Sequence, residues 1–196
     1  MKICFLGGTF DPPHIGHLKI ALECLKQCDK FIFIPSKQSP HKISQPYFSS
    51  HHRLAMLNML ASNYDNIAVD PFEINSIDEI SYTINTVRYL TEKYNNEDIC
   101  MVVGSDLISN IESWKKWNEI NDKVSVICFS RIGYEDVSFK DKKFIFLDSV
   151  NLDVSSSFIK KEMISNNSYS FANFSSMISK EIYNYICDNK LHRKSF

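Results

Sequence analysis

The sequence predicts an α/β fold, a parallel sheet covered by helices on both faces. Three observations predict it. Short apolar runs of strand length alternate with helical stretches along the 196 residues, the order that builds βαβ units. Several runs are apolar without interruption, as in Phe31-Ile32-Phe33-Ile34, which is how strands read when both faces are buried. The first run ends in a glycine pair, Gly7-Gly8, before a helical pattern begins, the strand–turn–helix junction of such sheets.

Taken in order, strands are expected near 2–6, 31–34, 67–70, 99–103, 124–129 and 143–147. Helices are expected near 15–28, 50–63, 81–94 and 105–119, where apolar residues recur at helical spacing. The polar stretch 38–50, with Pro40 and Pro46, reads as a loop, and the charged stretch 134–143 as an exposed connection. Beyond residue 149 the pattern turns helical, over 155–165 and 175–188. The chain therefore divides into a core, 1–150, and a C-terminal helical extension, 151–196, that closes over the site. Ligands of open parallel sheets bind at the carboxyl ends of the strands. That rule sets Gly7, Gly8, Pro35, Gly104 and Arg131 on one rim.

Composition narrows the function classes. With 44% hydrophobic and 13% aromatic residues the chain can bury a sizeable core. A net charge of −1 predicts no broad basic face for a polynucleotide. No apolar run approaches a membrane span, and the chain enters a strand without a signal-peptide pattern. A soluble, cytoplasmic protein with no membrane partner is the expectation. The six cysteines, at 4, 24, 28, 100, 128 and 187, form no C-x-x-C pair. Cys24 and Cys28 are spaced to share a helical face, but no second pair stands at structural-zinc intervals. Core packing in a reducing compartment is the reading, and no residue is assigned to a metal.

The residues with most chemistry in them are Gly7-Gly8-Thr9-Phe10-Asp11-Pro12 and, one residue on, His14-Ile15-Gly16-His17. Glycines allow a backbone to approach a ligand that a Cβ would push away. A helix start offers unpaired N–H groups and a positive dipole end, suited to phosphate. Two imidazoles add donors that can turn cationic as negative charge builds. Together these imply a nucleoside triphosphate at the first strand–helix junction.

These residues resemble the signature of the nucleotidyltransferase superfamily, whose members include adenylyltransferases for nicotinate mononucleotide, nicotinamide mononucleotide and phosphopantetheine. The HxGH tetrapeptide also occurs in class I aminoacyl-tRNA synthetases, but those need tRNA-reading modules for which this chain is too short. Further motifs follow in the order of the nicotinate mononucleotide adenylyltransferases: Pro40-His41-Lys42, Arg53-x-x-Met56-Leu57, Ser81-Tyr82-Thr83-x-x-Thr86, Gly104-x-Asp106 with Trp114 and Trp117, Arg131-x-Gly133-Tyr134, and Ser155-Ser156-Ser157-x-Ile159-Lys160. The adjacent His51 and His52 cannot share a helix face and are given no role.

The resemblance implies a Rossmann-like fold and transfer of AMP from ATP to nicotinate mononucleotide, giving deamido-NAD and pyrophosphate, a step of NAD biosynthesis. It implies that His14, His17 and Lys42 act in catalysis. It assigns ATP to Gly7, Gly8, Thr9, Phe10, His14, His17, Gly104, Asp106, Arg131, Ser155, Ser156, Ser157 and Lys160. Nicotinate mononucleotide falls to Tyr82, Thr83, Trp114 and Lys42. The backbone N–H groups around Tyr82 and Thr83 would take the pyridine carboxylate, Trp114 would stack on the ring, and Trp117 would pack inside. Mg²⁺ is the implied cofactor, held on ATP oxygens mainly through water. The chain departs from the family in three places. Ile132 stands for proline, loosening a turn; Ser157 stands for threonine, keeping the hydroxyl; Lys160 stands for arginine, keeping charge but losing the bidentate fork. The alternatives are the nicotinamide mononucleotide or phosphopantetheine enzymes, or a non-catalytic nucleotide-binding protein. Oligomeric state is left open, a homodimer among the options.

Overall fold

A computed structural model describes residues 1–40, 44–129, 144–147, 154–165 and 170–193. Six parallel strands form one sheet: β1 (Lys2–Gly8), β2 (Lys30–Pro35), β3 (Ile67–Val69), β4 (Asp98–Gly104), β5 (Ser125–Phe129) and β6 (Phe144–Leu147). Their order is β3-β2-β1-β4-β5-β6. The order reverses between β1 and β4, which makes the rim above those two strands the binding crevice of the fold. Register pairs Gly8 with Pro35 and Gly104 with Phe129, so the expected rim residues of β1, β2 and β4 end level with one another.

The helices are α1 (Ile15–Cys24), α2 (Ser50–Ala61), α3 (Phe72–Asn75), α4 (Thr83–Lys93), α5 (Ser105–Ile108), α6 (Trp117–Lys123), α7 (Ser156–Ser165) and α8 (Lys180–Asp188). Alternation along the strands splits the core by face. Cys4 and Leu6 of β1 join α1, α2, α7 and α8 in one cluster, while Ile3 and Phe5 join α4 and α6 in the other. Ile182 and Ile186 of α8, both fully buried, sit in the first cluster with Met56 and Phe33. Truncating either to alanine would cost about 2–5 kcal/mol. Ser49 and Ser179 cap α2 and α8, accepting from the N–H of His52 and Ile182.

The structure corrects several expected elements. α1 ends at Cys24, so Cys28 lies beyond the helix and the two do not share its face; the cysteines are free thiols. The helix expected over 105–119 is broken into α5, a 3₁₀ turn at Ile111–Ser113 and α6. Trp114 is extended (ψ 144°) and Lys116 left-handed (φ 58°), and this turn separates two tryptophans that a continuous helix would set on one face. The last helix starts at Lys180, not 175, and the short α3 was not foreseen.

Candidate active site

The two glycines, expected in a turn, are the last residues of β1, and each is needed for a different reason. A Cβ on Gly7 would meet nothing within 4 Å, so this backbone lies open to a ligand. A Cβ on Gly8 would come within 3.1 Å of the Phe10 ring. Gly8 therefore makes room for a neighbour's side chain, where ligand approach was the expected reason. Phe10 sits at φ 48°, a conformation that bulky residues rarely adopt. Packing holds it there: the buried ring stands edge-on to His17 at 4.9 Å and to Phe33 at 5.5 Å. Phe10 thus backs a histidine with its side chain. The Asp11–Pro12 peptide that follows is cis.

His14 is the N-cap of α1, and its ring stacks on that of His17 with centroids 3.7 Å apart. The His14 N–H donates to His17 Nδ1 at 3.1 Å, so in a neutral His17 the proton stays on Nε2 and that nitrogen is the ring's donor. The helix start offers fewer amides than its sequence implied. Ile15 N–H donates to Met177 O at 2.8 Å and His17 N–H to His14 O at 2.9 Å. The first of these bonds also fastens the C-terminal segment to the site.

Asp11, 3% exposed, gathers three donors. Its carboxylate accepts the N–H groups of Tyr47 (3.0 Å) and Phe48 (2.8 Å) and pairs with Lys160 Nζ at 2.6 Å. Lys160 was expected on ATP; in the structure its charge is held by this carboxylate. Of the three serines before it, Ser155 accepts the Phe158 N–H at 3.1 Å as an ordinary cap of α7. Ser156 donates to Pro12 O at 2.9 Å, clipping α7 to the turn that precedes His14. Ser157 is exposed.

Arg53 braces the same region from beneath. Its guanidinium is 1% exposed and donates to the backbone carbonyls of Thr9 (2.6 Å), Ser36 (2.8 Å) and Phe48 (3.1 Å) and to Ser50 Oγ (3.1 Å). Burial pulls its pKa down, offset in part by Asp11. The loops after β1 and β2 are thereby tied to one planar cation.

On the far side of the crevice, Gly104 ends β4 and Asp106, half-buried, lies in the first turn of α5. Trp117 is buried, as expected, and Trp114 is half-buried, packed against the second core cluster. The helix of the S-Y-T-x-x-T motif starts at Thr83, with Tyr82 as N-cap, so Ser81 is not the cap. Ser81 instead accepts the Lys37 N–H at 3.0 Å and donates its own N–H to Gln38 O at 2.9 Å. Lys115 Nζ lies 4.0 Å over the Tyr82 ring, a cation–π contact joining this motif to the tryptophan turn. Below them Glu73, almost fully buried, takes the Thr86 hydroxyl. Desolvation pushes the Glu73 carboxyl above its usual value, against the lowering effect of hydrogen bonds from Thr86 and Ser81.

The structure therefore gathers Gly7, Thr9, Phe10, His14, His17, Ser155, Ser156 and Lys160 around one junction, and Gly104, Asp106, Tyr82, Thr83 and Trp114 across the switch point. Lys42 and Arg131 lie outside the described residues. A cavity of about 510 Å³ beside Asp70, Phe72, Tyr89 and Lys93 lies elsewhere, at the edge strand. Its charged groups pair with one another, Lys93 and Tyr89 both on Asp70 at 2.7 and 3.0 Å. Among the described residues no group of three or more His, Cys, Asp or Glu is arranged to hold a metal ion, and no helix is long and apolar enough to cross a membrane. Sequence reasoning missed Arg53 and Glu73 as parts of the site. Arg53 had a signal: it falls at helical spacing with Met56, Leu57 and Leu60 on a buried face. Glu73 had none, because Pro71-Phe72-Glu73 falls between the strand expected near 67–70 and the helix expected near 81–94.

Known proteins resemble this chain. The model of the cytidylyltransferase-like family matches residues 5–162. A probable nicotinate-nucleotide adenylyltransferase of Borreliella burgdorferi is 32% identical over 196 residues, covering 99% of this chain and 98% of the relative. One of the same name from Listeria monocytogenes is 31% identical over 195 residues, covering 98% of each. In structure, Plasmodium falciparum nicotinic acid mononucleotide adenylyltransferase complexed with NaAD superposes with a TM-score of 0.80 over 97% of both chains at 21% identity, a likeness of fold.

Proposed function

The chain belongs to the nicotinate-nucleotide adenylyltransferase family of cytidylyltransferase-like proteins, and from that premise we propose that it transfers AMP from ATP to nicotinate mononucleotide, giving deamido-NAD and pyrophosphate. One observation carries the reading: the stacked His14–His17 pair opens the helix that follows β1, whose last residues include the open backbone of Gly7, at the switch point of a parallel sheet.

The acceptor's own phosphate oxygen attacks the α-phosphorus of ATP in line. A new P–O bond forms, the bond from the α-phosphorus to the bridging oxygen breaks, and pyrophosphate leaves. Nothing on the protein is covalently modified, so catalysis is positioning and charge stabilisation. His17, whose Nδ1 is occupied by the His14 N–H, offers Nε2–H to the α-phosphate; His14 serves a neighbouring phosphate. Lys42 and Lys160 attend the leaving pyrophosphate. Lys160 does so while paired with Asp11, so its grip on ATP is weaker than a free ammonium's. Arg131 and the serines that open α7 complete the ATP side, which makes 151–196 an extension finishing the ATP site. Across the crevice Asp106 holds a ribose hydroxyl, the start of α4 at Tyr82 and Thr83 takes the pyridine carboxylate, and Trp114 stacks on the ring.

Mg²⁺ would come in on ATP, held by phosphate oxygens and water, consistent with a site where Asp11 already spends its oxygens on Tyr47, Phe48 and Lys160. Bound there, it supplies neutralisation of charge on the pyrophosphate. The partners are ATP and nicotinate mononucleotide, and the setting is the cytoplasm. The test is pyrophosphate release from ATP that depends on nicotinate mononucleotide, with deamido-NAD identified by mass. ATP binding without any product would instead mark a non-catalytic nucleotide-binding protein.

A further inference from the structure

We propose that Glu73 is a positioning residue for the acceptor's pyridine end, holding Thr86 while the loop after β2 holds Ser81, so that Tyr82 and Thr83 between them are fixed in place. The inference rests on the reading of that segment as the pyridine site. Glu73 lies on the short helix α3, 8% exposed, and Thr86, 1% exposed, donates its hydroxyl to Glu73 Oε1. At the other end of the segment Ser81 Oγ accepts the Lys37 N–H at 3.0 Å. The Ser81–Thr86 segment is thus pegged at one end to the loop after β2 and at the other to one buried side chain.

The pegging reaches the phosphate side as well. Ser81 N–H donates to Gln38 O at 2.9 Å, and Lys37 Nζ donates to Ser76 O at 3.3 Å. The loop after β2, which leads into Pro40-His41-Lys42, is therefore joined to the start of α4 through Ser81. A buried carboxyl group is an expensive way to satisfy one hydroxyl. Its Oε1 takes the Thr86 proton and so ties the first turn of α4 to α3.

The test compares the native chain with Glu73→Gln and, as a second variant that keeps the carboxylate, Thr86→Val. Glutamine fills the same space but presents an NH₂ to one hydroxyl. Each variant is expected to raise KM for nicotinate mononucleotide by about tenfold to a hundredfold, the effect of one unmet buried hydrogen bond. KM for ATP should stay within about twofold, and the double variant should fall short of the product of the two single effects, since both act on one contact. A purely structural role would lower the active fraction and leave both KM values alone. Native turnover of nicotinate mononucleotide with unaltered KM in both variants overturns the positioning role and leaves the proposed function standing. A native chain that does not use nicotinate mononucleotide overturns both.

Discussion

Lys160 reaches across 149 residues of sequence to Asp11, Nζ to Oδ2 at 2.6 Å, and so ties the C-terminal helix α7 to the turn before His14. Asp11 is 3% exposed and also holds the N–H groups of Tyr47 and Phe48. One carboxylate thus joins three segments of the ATP side. Asp11→Asn keeps the shape but sets an amide NH₂ against those donors. The expected loss is about 1–3 kcal/mol, read as a lower denaturation midpoint. Lys160→Arg should keep the pair, because a guanidinium fork can hold Asp11 and a phosphate together, and KM for ATP should stay equal or fall. An Asp11→Asn midpoint equal to native, or a steep rise in the KM of Lys160→Arg, would contradict this account of the junction.

His17→Ala should fold normally and lose about a hundredfold to a thousandfold in kcat, the usual loss for one donor aimed at developing charge. His17 is half-buried at the helix start and is not part of either core cluster. Near-native kcat with an intact fold would remove it from the catalytic assignment.

Much of the site was readable in the sequence because its chemistry is local. Gly7 to His17 is a strand end, one turn and one helix start, whereas the burial of Trp117 was expected only from the resemblance, because i, i+3 spacing on a continuous helix would set both tryptophans on one face. What stayed hidden is what only tertiary packing supplies. Nothing in the order of residues places Asp11 against Lys160, sends Met177 O to the first amide of α1, or brings Glu73 beneath Thr86. The break within 105–119 was missed for another reason: its residues have helical spacing, and the left-handed Lys116 overrides them.

Arg53→Met should be among the most destabilising single changes in the chain. It would leave the carbonyls of Thr9, Ser36 and Phe48 buried without their donor. Each unmet group costs about 1–3 kcal/mol, so a loss above about 3 kcal/mol is expected in urea denaturation. A loss within about 0.5 kcal/mol would show that the brace is dispensable.

The buried Glu73 carboxyl gives stability a pH dependence of known sign. Its pKa is raised in the folded chain from an ordinary value of 4.5. The folded state then holds this proton more tightly than the unfolded one. The stabilisation is complete below about pH 4.5 and is lost as pH rises through the folded value. Relative to Glu73→Gln, which cannot ionise, the native chain should lose stability from about pH 4.5 towards neutrality, as measured by urea midpoints of both proteins. A difference that grew in favour of the native chain over that range would reverse the sign and refute the desolvation account.

The most direct test of the central claim is kcat/KM, by pyrophosphate release with ATP, for nicotinate mononucleotide, nicotinamide mononucleotide and phosphopantetheine side by side. A carboxylate at the start of α4 gains from the helix dipole and the free amides, whereas an amide turns donors towards donors. The account predicts that the acid is preferred over the amide by about tenfold to a hundredfold, with no turnover of phosphopantetheine. Equal values for acid and amide, or a preference for phosphopantetheine, would contradict it.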